Sequence, residues 1–98
     1  MPEIIVYING KLVPINDATI SFRDGGFQFG DGLFETIRFK NRKLFAAKNH
    51  LQRLRTGLNT LDLKLESSDT ELIQILQQVI HENQIESGLL RLMITRGE

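Results

Sequence analysis

The sequence predicts an α+β domain in two layers, a mainly antiparallel sheet with two helices packed on one of its faces. Three observations predict it. Short runs rich in β-branched and aromatic residues are separated by turn chemistry, which makes hairpins. Two longer stretches repeat Leu and Ile at helical spacing. Strands and helices are segregated along the chain, in the order β-β-loop-β-β-α-α-β, rather than alternating as they do in a parallel sheet. The chain has 98 residues, one small domain's worth.

The first hairpin comes from Ile4-Ile5-Val6-Tyr7-Ile8, then Asn9-Gly10, then Lys11-Leu12-Val13, with Pro14 closing the return strand. Asn-Gly suits a turn whose two central residues both need positive φ. Residues 15–32 are punctuated by Asp and Gly, yet they carry Phe22, Phe27 and Phe29. An ordered loop is expected, its aromatics packed and its glycines bending the backbone. Leu33 to Lys40 reads as a strand, Asn41-Arg42-Lys43 as a turn, and Leu44 to Ala46 as a short return strand. In the first helix, Leu51, Leu54, Leu58 and Leu61 make one apolar stripe, interrupted by Gly57. That glycine costs about 1 kcal/mol of helix propensity relative to Ala. The second helix opens with Ser68-Asp69-Thr70-Glu71, a capping box, and lines Leu72, Ile73, Leu76, Val79 and Ile80 on one face up to Asn83. Ser87-Gly88 breaks the chain, and Leu89 to Thr95 is the last strand.

Composition excludes several functions. Twelve Lys and Arg balance twelve Asp and Glu, so the basic excess of a nucleic-acid binder is missing. Cys is absent, which removes disulfides, thiolate zinc sites and cysteine nucleophiles. Its absence fits a reducing, cytoplasmic setting. No metal site is expected. No apolar run is long enough to span a membrane, and Met1-Pro2-Glu3 does not open a signal peptide. A chain this short buries a modest core, and a deep enzyme cleft usually needs more chain or a second copy.

The densest chemistry lies in residues 23–38, from Arg23 to Arg38. Strand alternation puts Leu33, Glu35, Ile37 and Phe39 on one face and Phe34, Thr36 and Arg38 on the other. The first face is apolar except for Glu35, so it packs on the helices and Glu35 must find a partner there. The second offers an aromatic ring, a hydroxyl and a guanidinium in a row, suited to an anionic small molecule with Arg38 on its carboxylate. The competing reading is a plain solvent face, which periodicity alone favours. The adjoining Gly30-Asp31-Gly32 shifts the balance, because glycines let a backbone approach a ligand.

Three segments, taken together, resemble the class IV aminotransferases. They are Phe29-Gly30-Asp31-Gly32-Leu33-Phe34-Glu35-Thr36-Ile37-Arg38, His50-Leu51-Gln52-Arg53-Leu54 and Ile94-Thr95-Arg96-Gly97. This family holds branched-chain aminotransferases, D-amino acid aminotransferases and 4-amino-4-deoxychorismate lyases. The resemblance implies a two-domain, homodimeric enzyme using pyridoxal 5'-phosphate, with residues 1–98 as its smaller, N-terminal domain. It implies that the lysine binding the cofactor lies in a larger C-terminal domain. Lys11, Lys40, Lys43, Lys48 and Lys64 match no family position for that role, so no catalytic residue is expected here. A last strand that ends almost at the final residue agrees with this expectation.

The resemblance implies that Arg53 binds the cofactor phosphate, with Gly57 one turn on leaving room beside it. It places Phe29, Phe34, Thr36, Arg38 and Arg91 on the substrate side. For Arg91 a solvent-facing strand arginine is an equal alternative. His50 reads as a structural or hydrogen-bonding residue, and His81 as a surface one. Phe29 stands where many branched-chain enzymes have Tyr, and Thr36 where they have Gly, so the chain looks more like the D-amino acid aminotransferase and lyase branches. The alternatives to amino-group transfer are a lyase domain of the same family and a non-catalytic binding or dimerisation module. A carboxylate-sensing domain using Arg38 is a further one.

Overall fold

In a computed structural model, which describes residues 3–98, the chain forms two antiparallel sheets and three helices. Strands β1 (Ile5–Ile8) and β2 (Lys11–Pro14) make the expected hairpin. Its turn residues Asn9 and Gly10 have φ of 48° and 89°, the left-handed backbone that Asn-Gly favours. A single 3-10 turn over Ile15–Asp17 follows. Residues Gly25–Phe29 then form a short helix, α1.

The main sheet has the order β4-β3-β5, with β3 (Gly32–Lys40) between β4 (Lys43–Leu44) and β5 (Gly88–Thr95). The return strand expected over 44–46 is shorter than foreseen. After Phe45 donates to the Arg38 carbonyl at 2.8 Å, Ala46 turns into the left-handed region and launches α2 (Ala47–Thr60). Helix α3 (Asp69–Asn83) carries the complete capping box. Glu71 N–H donates to Ser68 Oγ and Ser68 N–H to Glu71 Oε1, each at 3.1 Å. Ser68, through its backbone N–H first and its side chain second, lowers the pKa of the Glu71 carboxyl.

Both helices cover one face of the sheet. Leu51, Leu54 and Leu58 of α2 meet Leu72 of α3, with Leu33, Leu92 and Ile94 packed against them from the sheet. Ile37, Phe39, Leu76 and Ile80 extend the core. The hairpin is pinned to α3 by Asn83, whose Oδ1 accepts from Ile5 N–H at 2.9 Å while its Nδ2 donates to the Ile5 carbonyl at 2.8 Å. No helix among the described residues is long and apolar enough to cross a membrane.

The loop aromatics do not pack as expected. Phe22, Phe27 and Phe29 are exposed, and the rings of Phe22 and Phe27 meet edge to face with centroids 5.7 Å apart. The physical reason is α1. It docks through its buried Gly25, whose N–H donates to the Gly97 carbonyl at 2.7 Å, and this leaves the rings outside.

Gly32 is required by close approach. A Cβ there would stand 2.6 Å from the Ile94 carbonyl oxygen and 3.1 Å from Thr95 Cα, both backbone atoms of the paired strand. Gly32→Ala is therefore expected to cost about 1–3 kcal/mol through overpacking. Gly88→Ala meets only the tip of Phe39, at 3.2 Å, and should cost less. Urea unfolding of both variants checks the ordering, and equal midpoints would contradict it.

Candidate functional site

Strand β3 sorts the functional side chains by parity. Glu35, Ile37 and Phe39 are buried, whereas Phe34, Thr36 and Arg38 are exposed. The register with β5 sets Phe34 opposite Met93, Thr36 opposite Arg91 and Arg38 opposite Leu89. Arg91 lies over the Phe34 ring, its guanidinium carbon 4.8 Å from the centroid, within cation–π range. Four of the expected substrate-side residues, Phe34, Thr36, Arg38 and Arg91, thus share one sheet face. Phe29 is not on it: it ends α1, exposed, ahead of a left-handed Gly30 with φ of 63°.

On the other face, Glu35 is 5% exposed, the one buried charged residue among those described. It has the partners its burial demands. Its Oε1 lies 2.8 Å from His50 Nδ1, and its Oε2 forms an ion pair with Arg53, 3.1 Å from Nε. His50 and Arg53 sit one turn apart on α2, so both reach the same strand residue. His50 is therefore the hydrogen-bonding residue foreseen for it, whereas the importance of Glu35 was visible only as an unmet need for a partner.

Arg53 pairs with Glu35, yet its side chain is 79% exposed. It borders an open hollow of about 530 Å³ lined by Asn49, Gln52, Thr56 and Gly57 along one side of α2. The room left by Gly57 is partly used by the sheet, since a Cβ there would stand on Leu33 Cδ1. Arg53 and the outer face of β3 are consequently on opposite sides of the strand, linked through Glu35, which lies between Phe34 and Thr36.

The third segment acts as a clamp. Thr95 Oγ1 donates to Asp24 Oδ2 at 2.9 Å, while Asp24 Oδ1 caps α1 at Gly26 N–H, 2.8 Å away. Arg96 pairs with Asp31 and donates to the Leu61 carbonyl at 2.7 Å. Asp31, through its hydrogen bond and its charge, raises the Arg96 pKa above the usual arginine value. The glycine-rich stretch, β5 and the end of α2 are thereby joined. The five lysines and His81 are all exposed.

A family model described as amino-transferase class IV matches residues 32–98, which hold all three of Glu35, Arg53 and Arg96. The chain belongs to the class IV aminotransferases. A D-alanine aminotransferase of Staphylococcus aureus is 38% identical over 92 residues, covering 94% of this chain and 33% of that protein. Among solved structures, the branched-chain amino acid aminotransferase of Escherichia coli superposes with a TM-score of 0.89 at 26% identity, covering 99% of this chain and 34% of that one. A putative 4-amino-4-deoxychorismate lyase of Legionella pneumophila gives 0.78 at 29% identity over 82% of this chain and 30% of its own length. The class IV chain spans about a third of the length of the curated relatives it matches. Its α+β architecture is that of the family, and pyridoxal phosphate is the family's cofactor.

Proposed function

We propose that residues 1–98 are the small, N-terminal domain of a homodimeric, cytoplasmic, pyridoxal-phosphate-dependent aminotransferase. The lysine that holds the cofactor covalently then belongs to a larger second domain. The observation that carries this reading is Arg53: a guanidinium paired with a buried carboxylate and bordering an open hollow. A phosphate dianion fits that arrangement, because a planar, always-charged donor set matches its oxygens. When bound, the cofactor withdraws electrons from the carbon that bears the substrate amino group.

This chain's residues bind and orient. Arg53 holds the phosphate. Arg38 takes the carboxylate of an amino acid or 2-oxo acid, Phe34 and Thr36 bound the side-chain space, and Arg91 braces Phe34 from above. Phe29 closes the substrate side once α1 is covered. Such contacts act by positioning the reacting carbon, and so act on KM and kcat together. The D-alanine aminotransferase relatives favour amino-group transfer. Elimination by a lyase is the second reading, favoured by the similarity to the Legionella protein.

The test is to assay the full-length protein for amino-group transfer from D- and L-amino acids to 2-oxo acids, and for release of pyruvate from 4-amino-4-deoxychorismate. Transfer is expected. Pyruvate release without transfer gives the lyase reading, and neither reaction leaves the binding module. Within the active protein, Arg38→Ala is expected to raise the KM for the carboxylate substrate by about tenfold, the loss of one charge-assisted contact of roughly 1.5 kcal/mol. An unchanged KM would put Arg38 outside the site.

A further inference from the structure

We propose that Thr36 serves the substrate through its backbone as well as its side chain: its N–H, on the open edge of β3, donates to the carboxylate of the bound amino acid or 2-oxo acid. The inference rests on the proposed substrate site and deepens it.

Strand β3 turns its even-numbered amides away from β5. In an antiparallel pair the N–H and C=O of one residue point to the same neighbour, and successive residues alternate between the two sides. Arg96 N–H donates to the Asp31 carbonyl at 3.1 Å, one step beyond the β3–β5 ladder and in its register, so the odd residues bond to β5. Phe45 N–H donates to the Arg38 carbonyl at 2.8 Å, so the even residues face the β4 side. There β4 pairs only with Phe39 and Lys40. The N–H and C=O groups of Phe34 and Thr36 therefore project from an edge with no strand beside it. Among the described residues, no backbone group outside the sheet bonds to either of them.

The same edge joins the two parts of the site. A ligand that meets Arg53 on the inner side of β3 and Phe34, Thr36 or Arg38 on the outer side has to pass round one edge of the strand. Strand β5 closes one edge from Gly32 to Phe39. Arg53 lies toward the other. On α2, Arg55 donates to Asp69 and to the Leu65 carbonyl, so α3 and the chain leading to it lie on that flank. Leu92 and Ile94 of β5 pack into the cluster that α2 shares with α3. At 3.6 residues per turn, Arg53 stands about 200° round the helix from Arg55, on the flank away from α3. The N–H of Thr36 lies midway along the open edge, between Phe34 and Arg38. A carboxylate there accepts a charge-assisted hydrogen bond from an amide that the strand already holds, with no side chain to order. A ligand that covered the edge without an acceptor would leave that amide unsatisfied.

The test uses the full-length protein loaded with pyridoxal 5'-phosphate. Thr36→Val removes the hydroxyl and keeps the N–H. Thr36→Pro removes both, and a strand edge tolerates proline where no ladder bond is lost. The KM for a 2-oxo acid is expected to be about tenfold higher for Thr36→Pro than for Thr36→Val, the loss of one hydrogen bond to a charged group. The dissociation constants for pyridoxal 5'-phosphate should agree within about twofold, since the phosphate contact is that of Arg53. Equal KM values overturn the proposal. A rise in KM matched by an equal loss of cofactor affinity also overturns it, because the strand is then distorted as a whole. If Arg38→Ala raises KM while the two Thr36 variants agree, the substrate site stands and this inference alone fails. If Arg38→Ala leaves KM unchanged as well, the site falls and the inference with it. Should Thr36→Pro fail to fold, amide hydrogen exchange of the loaded wild-type protein decides. The Thr36 amide is expected to exchange fast beside a slow Ile37, and to slow about tenfold under a saturating 2-oxo acid. Slow exchange before the acid is added would mean that another strand of the longer chain covers the edge. Fast exchange with the acid present would mean that the substrate does not reach it. Either result overturns the proposal.

Discussion

Arg53→Ala is expected to weaken binding of pyridoxal 5'-phosphate by the full-length protein about 10- to 100-fold. Hydrogen bonds to a charged group contribute about 1.5–3 kcal/mol, and each 1.4 kcal/mol is a factor of ten. The same substitution has a second consequence inside the domain. Glu35 would keep only His50 as a partner, so a buried carboxylate loses half of its compensation. Stability should fall by about 1–3 kcal/mol as well. The two effects separate in measurement, one in a cofactor titration and the other in an unfolding curve. A fall in stability with unchanged affinity would return Arg53 to the role of a surface ion-pair residue.

Leu54→Ala is expected to be the most damaging single change to the fold. Leu54 is 1% exposed at the centre of the cluster with Leu51, Leu58 and Leu72. Truncating a Leu in such a place costs about 2–5 kcal/mol, the lost transfer energy plus the cavity left behind. A domain of this size has a total stability in the lower part of the ~5–15 kcal/mol range. Each kcal/mol moves the midpoint of a small domain by roughly 4–8 °C, so thermal unfolding should shift down by more than about 10 °C. Leu89→Ala is the contrast, since that side chain lies on the outer sheet face and is largely exposed. A small shift for Leu54→Ala would mean that α2 is not the element that closes the core.

Much of this architecture is legible in the sequence because it depends on near neighbours. Asn9-Gly10 specifies a turn by its own φ preference, Ser68 and Glu71 cap a helix within four residues, and strand parity sorts Phe34, Thr36 and Arg38 from Glu35 without knowledge of the rest. The limits appear where a residue's meaning depends on distant chain. Glu35 announces that it needs a partner, but only the docking of α2 on β3 names His50 and Arg53. Gly57 looks like a defect in a helix until Leu33 is found beside it. Helix α1 begins with two glycines and has no apolar stripe. Neither propensity nor period marks it, and it exists because Asp24 caps it and Gly25 bonds to Gly97. The exposed phenylalanines follow from that docking.

The clamp between the glycine-rich stretch and the end of β5 has a consequence for the order in which the chain can fold. Asp24 and Thr95 are 71 residues apart, and β3 has no long partner until β5 arrives. Helices α2 and α3 and the first hairpin are local and can form as they are synthesised. The β3–β5 pairing and the docked α1 must wait for nearly the whole of this chain. Loop closure over such a span raises contact order and slows folding. During synthesis, the edge of β3 that β5 will occupy is therefore unpaired after both helices have been made. Pairing of β5 with β3 is the event that closes this sheet.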